Sequence, residues 1–223
     1  MSQKYVVRVW DAPTRLFHWA LTVCVVAAVI TAQVGGAAMD WHFRLGYAIL
    51  TLLMFRLIWG LVGGHWSRFR AFMYRPGQVL AHLKGQTDPQ QTVGHNPVGA
   101  LSVFALMGFL ALQLVSGLFS DDEISATGPL ASLASSTWVA NATYYHAEVG
   151  KLILIALVTL HVLAIALYFL KKRENLVRPM VTGDKTLEFA APDSEDNAQS
   201  RIKAALITSA CALLVWALVR WLG

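Results

Sequence analysis

Histidine is the residue type in this chain best suited to chemistry, and four of its seven histidines fall in or at the ends of long apolar runs. Polar side chains are costly in such runs and usually face a bundle interior or a ligand. His146 and His161 are 15 residues apart, which in a helix is about 22 Å of rise with both side chains on one face. His42 lies near the level of His146, and His18 near the level of His161. The spacing therefore predicts two pairs at two depths.

Each pair has the composition of a haem-iron site. Two neutral imidazoles on facing helices supply the two axial ligands of six-coordinate iron, and each ring would donate its second N–H to a carbonyl or hydroxyl. The chain has no CxxCH motif, so we expect two non-covalent b-type haems. Two alternatives stay open: a histidine near a helix end is often only an interfacial residue, and zinc or copper could bind if further ligands were at hand.

Three cations in the apolar runs are candidate partners of an anion. A buried guanidinium needs a negative partner, and haem propionates would serve. Arg44 follows His42 closely, whereas Arg56 lies on the same face about 21 Å deeper. We expect Arg44 to serve the outer haem and Arg56 the inner one, and Lys151, just past His146, to meet a propionate, an anionic substrate or a carboxylate. The alternative is that these side chains snorkel to the headgroups.

The remaining three histidines are expected at the surface. His65 lies 23 residues after His42, or about 35 Å of helical rise, which places it at or beyond the membrane surface. His82 and His95 lie in a basic segment between apolar runs. His65 is the substitute ligand if His18 does not bind iron.

The elements that must position these residues are membrane-spanning helices. Apolar residues make up 56% of the 223 residues, charged residues only 14%, and the mean hydropathy is +0.52. A soluble domain carries about 25% charged residues, so this chain is expected to be an all-α integral membrane protein. A helix needs about 20 apolar residues to span the hydrocarbon core. The five segments of that kind are residues 16–34, 41–62, 98–119, 145–170 and 202–222.

The loop charges predict the orientation in the membrane. Fourteen of the 18 Lys and Arg residues flank the runs on one side, and by the positive-inside rule that side is cytoplasmic. The acidic run 121–123 lies on the other side, so the N-terminus is expected inside and the C-terminus outside. No cleaved signal peptide is expected. The fourteen are Lys4, Arg8, Arg15, Arg68, Arg70, Arg75, Lys84, Lys171, Lys172, Arg173, Arg178, Lys185, Arg201 and Lys203.

These segments suggest three parts. Residues 1–185 would form a transmembrane domain of four spans holding the two haems. Residues 186–201 would be a cytoplasmic linker, and residues 202–223 a fifth transmembrane helix. Residues 182–200 are polar and rich in acidic residues, without a periodic apolar face. That composition is typical of a flexible tether.

The same residues carry a resemblance to a known family. Residues 9–19, with the sequence VWDAPTRLFHW, resemble the opening of the prokaryotic cytochrome b561 family, which includes the membrane cytochrome b subunits of nickel–iron hydrogenases. The resemblance covers roughly residues 5–185, and the first stretch is the specific one. The supporting stretches are residues 42–47, 56–60, 94–100, 146–161 and 175–180.

This resemblance implies a four-helix core with two b-type haems, held by histidines of the first, second and fourth helices. It also implies electron transfer between quinone, either ubiquinone or menaquinone, and a redox partner. The fifth helix departs from the four-helix pattern. We expect a dihaem cytochrome b of the bacterial inner membrane that passes electrons between the quinone pool and a periplasmic partner, such as a c-type cytochrome, with no nucleic-acid role.

Three alternatives remain at this point. The chain could be a membrane-anchor and electron-relay subunit of a dehydrogenase or hydrogenase complex. It could oxidise superoxide at the outer face with quinone as acceptor, although residues 121–123 would repel that anion. A metal or haem transporter is the third, but the spans show no clear polar pathway or paired broken helices.

Overall fold

The computed structural model of the chain describes residues 3–124 and 126–222. Met1, Ser2 and Ser125 of the expected domain 1–185, and Gly223 of the expected helix 202–223, lie outside the described residues. The strands, the α-helices and the one π-helical turn of the described residues are β1 (Tyr5–Arg8), α1 (Ala12–Val34), α2 (Met39–Val62), α3 (Pro76–Leu83), α4 (Pro97–Leu118), α5 (Ser136–Tyr144), the π-helical turn (Tyr145–Gly150), α6 (Lys151–Lys171), α7 (Val177–Thr182), β2 (Asp184–Leu187) and α8 (Ala198–Leu222).

Five helical segments are long and apolar enough to cross a membrane, judged by length and composition. The prediction of an all-α integral membrane protein with five spans is confirmed. The fourth segment begins earlier than expected, because α5 and the π-helical turn run directly into α6. The five segments are Ala12–Val34, Gly36–Val62, Pro89–Leu118, Ser136–Lys171 and Ala198–Leu222.

Local signals set both ends of α1, the helix that carries His18. Asp11 caps its start, because one carboxylate oxygen accepts the backbone N–H of Thr14 at 2.7 Å. The helix ends before Gly35 and Gly36, whose φ values of +66° and +54° lie in the left-handed region that favours glycine.

The chain divides into two compact units. One comprises the residues up to His18 together with Arg56–Phe104 and Leu160–Leu206. The other comprises Trp19–Phe55, Ala105–Thr159 and the residues from Ile207 onward. His18 and His161 therefore belong to the first unit, and His42 and His146 to the second.

The first unit contains a two-stranded antiparallel sheet, in which Tyr5 of β1 lies opposite Leu187 of β2 and Arg8 lies opposite Asp184. The sheet covers a small apolar core that joins the start of the chain to the segment before α4. The buried members of this core are Val7, Val9, Trp10, Val93 and Leu187.

The flexible tether expected for residues 182–200 is wrong. The side chain of Ser194 is buried; its hydroxyl donates to the Val9 carbonyl at 2.7 Å and accepts from the Trp66 amide at 3.2 Å. The Asp196 side chain is only 4% exposed and pairs with Arg8 at 2.7 Å. The polar side chains of this segment therefore bind polar groups elsewhere in the same unit. The sequence of the segment alone could not reveal those partners.

The second unit has an apolar core between its helical segments. Ala28 of α1, Ile49 of α2 and Leu110 of α4 form the buried centre of this core. The partly buried side chains packed against it are Leu21, Cys24, Val25, Leu45, Leu114 and Leu154.

Candidate haem-binding sites

His42 and His146 face each other in the second unit, and we call this pair the His42–His146 site. Their ring centroids are 6.0 Å apart and their planes are inclined at 79°. An imidazole nitrogen binds a first-row metal such as zinc at about 2.0 Å, so two rings that share one metal ion have centroids roughly 6 Å apart. The observed spacing therefore suits one iron between the two rings.

Backbone carbonyls fix the tautomer of both rings. His42 Nδ1 lies 2.9 Å from the Ala28 carbonyl oxygen, and His146 Nδ1 lies 2.8 Å from the Gln113 carbonyl oxygen. A carbonyl oxygen can only accept, so each Nδ1 carries the hydrogen and donates it. The lone pair of each ring is then on Nε2, the form that a metal-bound histidine takes.

The local backbone makes room for the His146 ring. A Cβ at Gly117 of α4 would come within 2.6 Å of His146 Cε1, so glycine lets the ring approach that helix. His146 lies in the π-helical turn, and such turns often occur at functional sites. The side-chain amide of Gln113 donates to the His146 carbonyl at 2.9 Å.

A cavity of about 550 Å³ adjoins this pair within the second unit. This volume is typical of a site for a cofactor-sized ligand. His42, His146 and Lys151 line the cavity, and most of its other walls are apolar. Lys151 is thus brought to the site as expected from the sequence. Arg44 is not: it is exposed and its guanidinium lies 5.1 Å from the Trp41 ring centroid, a placement that favours the headgroup alternative.

His18 and His161 lie together in the first unit, and we call this pair the His18–His161 site. Both rings are half-buried, and they are close enough to interact electrostatically. The structure therefore brings together the second pair that the spacing predicts.

His95 belongs to the same neighbourhood, so its predicted surface position is wrong. Its ring lies between Trp10, with centroids 4.7 Å apart, and Phe72, with centroids 4.5 Å apart. It interacts electrostatically with Arg56, His161 and His18. The sequence offers one signal for this buried position. His95 lies two residues after the apolar Val93 and two residues before the start of α4, rather than in the middle of the basic segment.

Arg56 is buried in the first unit, with 3% of its surface exposed. Its guanidinium carbon lies 4.9 Å from the Phe69 ring centroid. Its Nη1 is buried and has no hydrogen-bond partner among residues 3–124 and 126–222. A buried charged donor of this kind fits an anion such as a haem propionate, which would satisfy it.

The other two histidines lie away from both pairs. His65 is exposed and stacks edge-on against Trp66, at 4.8 Å between centroids. Partial burial, Arg68 and Arg70 together lower the pKa of His65. His82 is half-buried and hydrogen-bonds through Nδ1 to the Thr87 hydroxyl at 2.7 Å. His65 is therefore not placed as a substitute for His18.

The metal-ion alternative lacks a ligand set. Within the described part of the chain, no group of three or more His, Cys, Asp and Glu side chains is placed to hold a metal ion. A pair of imidazoles can complete a metal site only where other donors come with the metal, as the four pyrrole nitrogens of a haem do.

The chain is similar to known proteins, both to a family model and to individual relatives. The family model for prokaryotic cytochrome b561 matches residues 9–183. A probable Ni/Fe-hydrogenase B-type cytochrome subunit of Azotobacter chroococcum is 27% identical, over 84% of this chain and 91% of that protein. A protein of the same description from Bradyrhizobium diazoefficiens is 24% identical, over 80% of this chain and 85% of that protein. No solved structure matches the chain.

The match begins in the strand–helix junction before His18 and continues past His161, so it includes both histidine pairs. The chain is therefore a b-type cytochrome for electron transfer, and it belongs to the prokaryotic cytochrome b561 family.

Proposed function

We propose that the protein is a dihaem cytochrome b that relays electrons across the bacterial inner membrane between the quinone pool and a redox partner on the outer side. The observation that carries this proposal is the His42–His146 pair, whose rings face each other at 6.0 Å with both Nδ1 atoms bound to carbonyls. Rings in that state offer two Nε2 lone pairs to one metal ion.

The two pairs would each hold one haem. A bound haem supplies a one-electron centre whose potential depends on its ligands, its burial and nearby charges. The protein would contribute the imidazole ligands, the apolar walls and the cations: Lys151 at the His42–His146 site and Arg56 in the unit that holds the His18–His161 site.

Two haems are needed because one cannot bridge the membrane. His146 and His161 are 15 residues apart along the fourth predicted span, or about 22 Å of helical rise. A bilayer core is about 30 Å thick. Electrons would therefore cross the apolar layer in two short steps rather than one long one.

The relatives suggest the partner. Those matched are described as probable Ni/Fe-hydrogenase B-type cytochrome subunits, and the two matches cover 80% and 84% of this chain. We infer that the chain is the membrane-anchoring, electron-relaying subunit of a hydrogenase-type complex, with ubiquinone or menaquinone at the other end of the relay. The descriptions of these relatives favour a hydrogenase over a soluble c-type cytochrome as the direct redox partner.

The orientation is also part of the proposal. The concentration of Lys and Arg on one side supports a cytoplasmic N-terminus, and five spans then put the C-terminus in the periplasm.

A haem count with a reduced-minus-oxidised spectrum tests the function. The purified chain should give two non-covalent haems per polypeptide by pyridine haemochrome assay and a low-spin b-type spectrum. One haem or none per chain would contradict the dihaem proposal. Co-purification of a hydrogenase with the tagged protein tests the partner separately, since a dihaem protein that purifies alone would keep the first proposal and remove the second.

A further inference from the structure

Asp11 is a fully buried carboxylate, with 0% of its surface exposed. Its Oδ1 accepts from the Thr14 amide at 2.7 Å and from Trp59 Nε1 at 3.2 Å. Its Oδ2 accepts from the Gly64 amide at 3.1 Å and from the Ser67 hydroxyl at 2.7 Å. One side chain therefore joins the start of α1 to the end of α2 and the turn that follows.

Every partner of this carboxylate donates a hydrogen bond to it. The backbone amides of Thr14 and Gly64 and the Trp59 indole can only donate hydrogen bonds. A protonated carboxylic acid would present its own hydrogen to some of these donors, whereas the carboxylate accepts from all of them. Charge-assisted bonds of this kind offset part of the cost of burying the charge.

The counter-charge is Arg56, which attracts Asp11 electrostatically and is itself 3% exposed. The guanidinium lies over Phe69. Gly64 is required for this arrangement, because a Cβ there would collide with Asp11 Oδ2. Two opposite charges are thus fixed in the same buried part of the first unit, where low polarity extends the reach of each.

Asp11 and Arg56 both belong to the unit that contains the His18–His161 site. Asp11 precedes His18 by seven residues, which is two helical turns and about 10 Å of rise on the same face of α1. Arg56 interacts electrostatically with His95, and His95 interacts with His18 and His161.

We infer that Asp11 and Arg56 form a buried pair of opposite charges that sets the redox potential at the His18–His161 site. This inference rests on the proposed function, because it requires a haem at that site. Reduction adds one electron there and no proton needs to reach Asp11. The negative charge of Asp11 opposes that electron and the positive charge of Arg56 favours it, so Asp11 is a positioning and tuning residue without a ligand role.

Neutral replacements of Asp11 in the full-length protein test the inference. Asp11→Asn and Asp11→Ser both remove the charge and keep a side chain that caps helices well. A spectroscopic redox titration should show the His18–His161 haem shifted to a more positive potential. We expect roughly a tenfold change in its reduced-to-oxidised ratio at fixed potential, which for one electron is about 59 mV. The other haem should shift much less.

Two further variants distinguish an effect of the Asp11 charge on the potential from an effect of the Asp11 hydrogen bonds on the fold. Glu195→Gln makes the same change of charge at an exposed side chain and should shift neither haem. The double variant Asp11→Asn with Arg56→Leu should return the potential toward that of the unaltered protein, because the two shifts have opposite signs. A purely structural role for Asp11 would not produce that return.

The outcomes that oppose the inference are distinct from failure of the proposed function. If both Asp11 variants keep two haems with unchanged potentials, or shift the His18–His161 haem to a more negative potential, the inference is overturned while the dihaem proposal stands. If both Asp11 variants lose that haem and Glu195→Gln keeps it, Asp11 serves to hold the fold of the site. Its role in tuning the redox potential is then also overturned. An unaltered protein without a haem at this site would instead contradict the proposed function.

Discussion

Gln113 holds His146 at two points. Its backbone carbonyl accepts the imidazole Nδ1–H at 2.8 Å, and its side-chain amide donates to the His146 carbonyl at 2.9 Å. One residue of α4 therefore fixes both the ring and the backbone of a proposed haem ligand. Replacing a partner of this kind typically lowers metal affinity by about 10–100-fold.

Replacing Gln113 by Leu should loosen the His42–His146 site and leave the other site intact. The backbone bond to the ring survives, but the partly buried His146 carbonyl loses a donor, which costs about 1–3 kcal/mol. Haem at this site should dissociate faster into apomyoglobin, by roughly tenfold or more. Gln90→Leu, at an exposed position, is the control. Equal release rates for Gln113→Leu and the unaltered protein would argue against this supporting role.

Single histidine replacements should remove one haem each. His161→Ala should abolish the haem at the His18–His161 site and keep much of the other, and His42→Ala should do the reverse. His65→Ala should retain both, because His65 is exposed and outside both pairs. Haem stoichiometry and difference spectra of the three variants give the answer. Two haems with unaltered spectra in His161→Ala would show that the pairing is wrong.

The sequence alone could predict the spans and the depth of each histidine, because both depend on patterns local to one helix. A run of apolar residues and a 15-residue interval in a single helix fix length and face without reference to the rest of the chain. Both pairs are indeed brought together in the structure, His42 with His146 and His18 with His161.

Contacts between distant segments could not be predicted in this way. His95 was expected at the surface because it falls in the basic segment between two apolar runs, yet its environment is set by Trp10 and Phe72. Residues 182–200 were expected to be a flexible tether because the sequence does not show the partners of Ser194 and Asp196. Those partners, Val9 and Arg8, lie more than 180 residues earlier. Asp11 gave no signal at all, since only the fold reveals that four groups donate to it.

Cysteine labelling should place the acidic loop in the periplasm. Ile124 is 89% exposed, so Ile124→Cys is suited to modification. In a background with Cys24 and Cys211 replaced by Ala, an impermeant maleimide should label it in intact cells with a permeable outer membrane. Lys84→Cys, at an exposed position of the basic segment, should react only after lysis. The reverse pattern would invert the proposed orientation.

Asp196 should make the protein sensitive to acid. Burial acts to raise the pKa of Asp196, but hydrogen bonds from Arg201, the Ala12 amide and Arg8 outweigh it and hold the pKa below its usual value. A depressed pKa means that the stabilisation is complete above the unfolded-state value of about 3.9 and is lost as the pH falls through the folded-state value.

Asp196→Asn should therefore lower the free energy of unfolding at pH 7 by about 1–3 kcal/mol. Because Asn does not titrate, the variant should also lose less stability than the unaltered protein below about pH 4. Thermal unfolding in detergent, followed by circular dichroism from pH 7 to pH 3, measures both effects. Glu195→Gln, one residue away and exposed, should leave the curve unchanged. A variant as stable as the unaltered protein at pH 7 would show that the segment 182–200 contributes little to the fold.

Arg56 and Arg44 provide a matched test of a charge beside haem. Both lie in α2, but Arg56 is 3% exposed and belongs to the unit of the His18–His161 site, whereas Arg44 is exposed over Trp41. A charged Arg near a helix centre costs roughly 2.5–3.5 kcal/mol on insertion scales, so a buried one requires a compensating anion. Asp11 supplies one, and a haem propionate would satisfy the buried Nη1.

Arg56→Leu should lower the midpoint potential of the His18–His161 haem, because the oxidised iron carries the greater positive charge and is favoured when a neighbouring cation is removed. The His42–His146 haem should shift little, and Arg44→Leu should shift neither. Spectroscopic redox titration of both variants beside the unaltered protein separates the two haems. If Arg56→Leu moved only the His42–His146 haem, or moved neither, Arg56 would not be the cation of the His18–His161 site, and its buried charge would need another explanation.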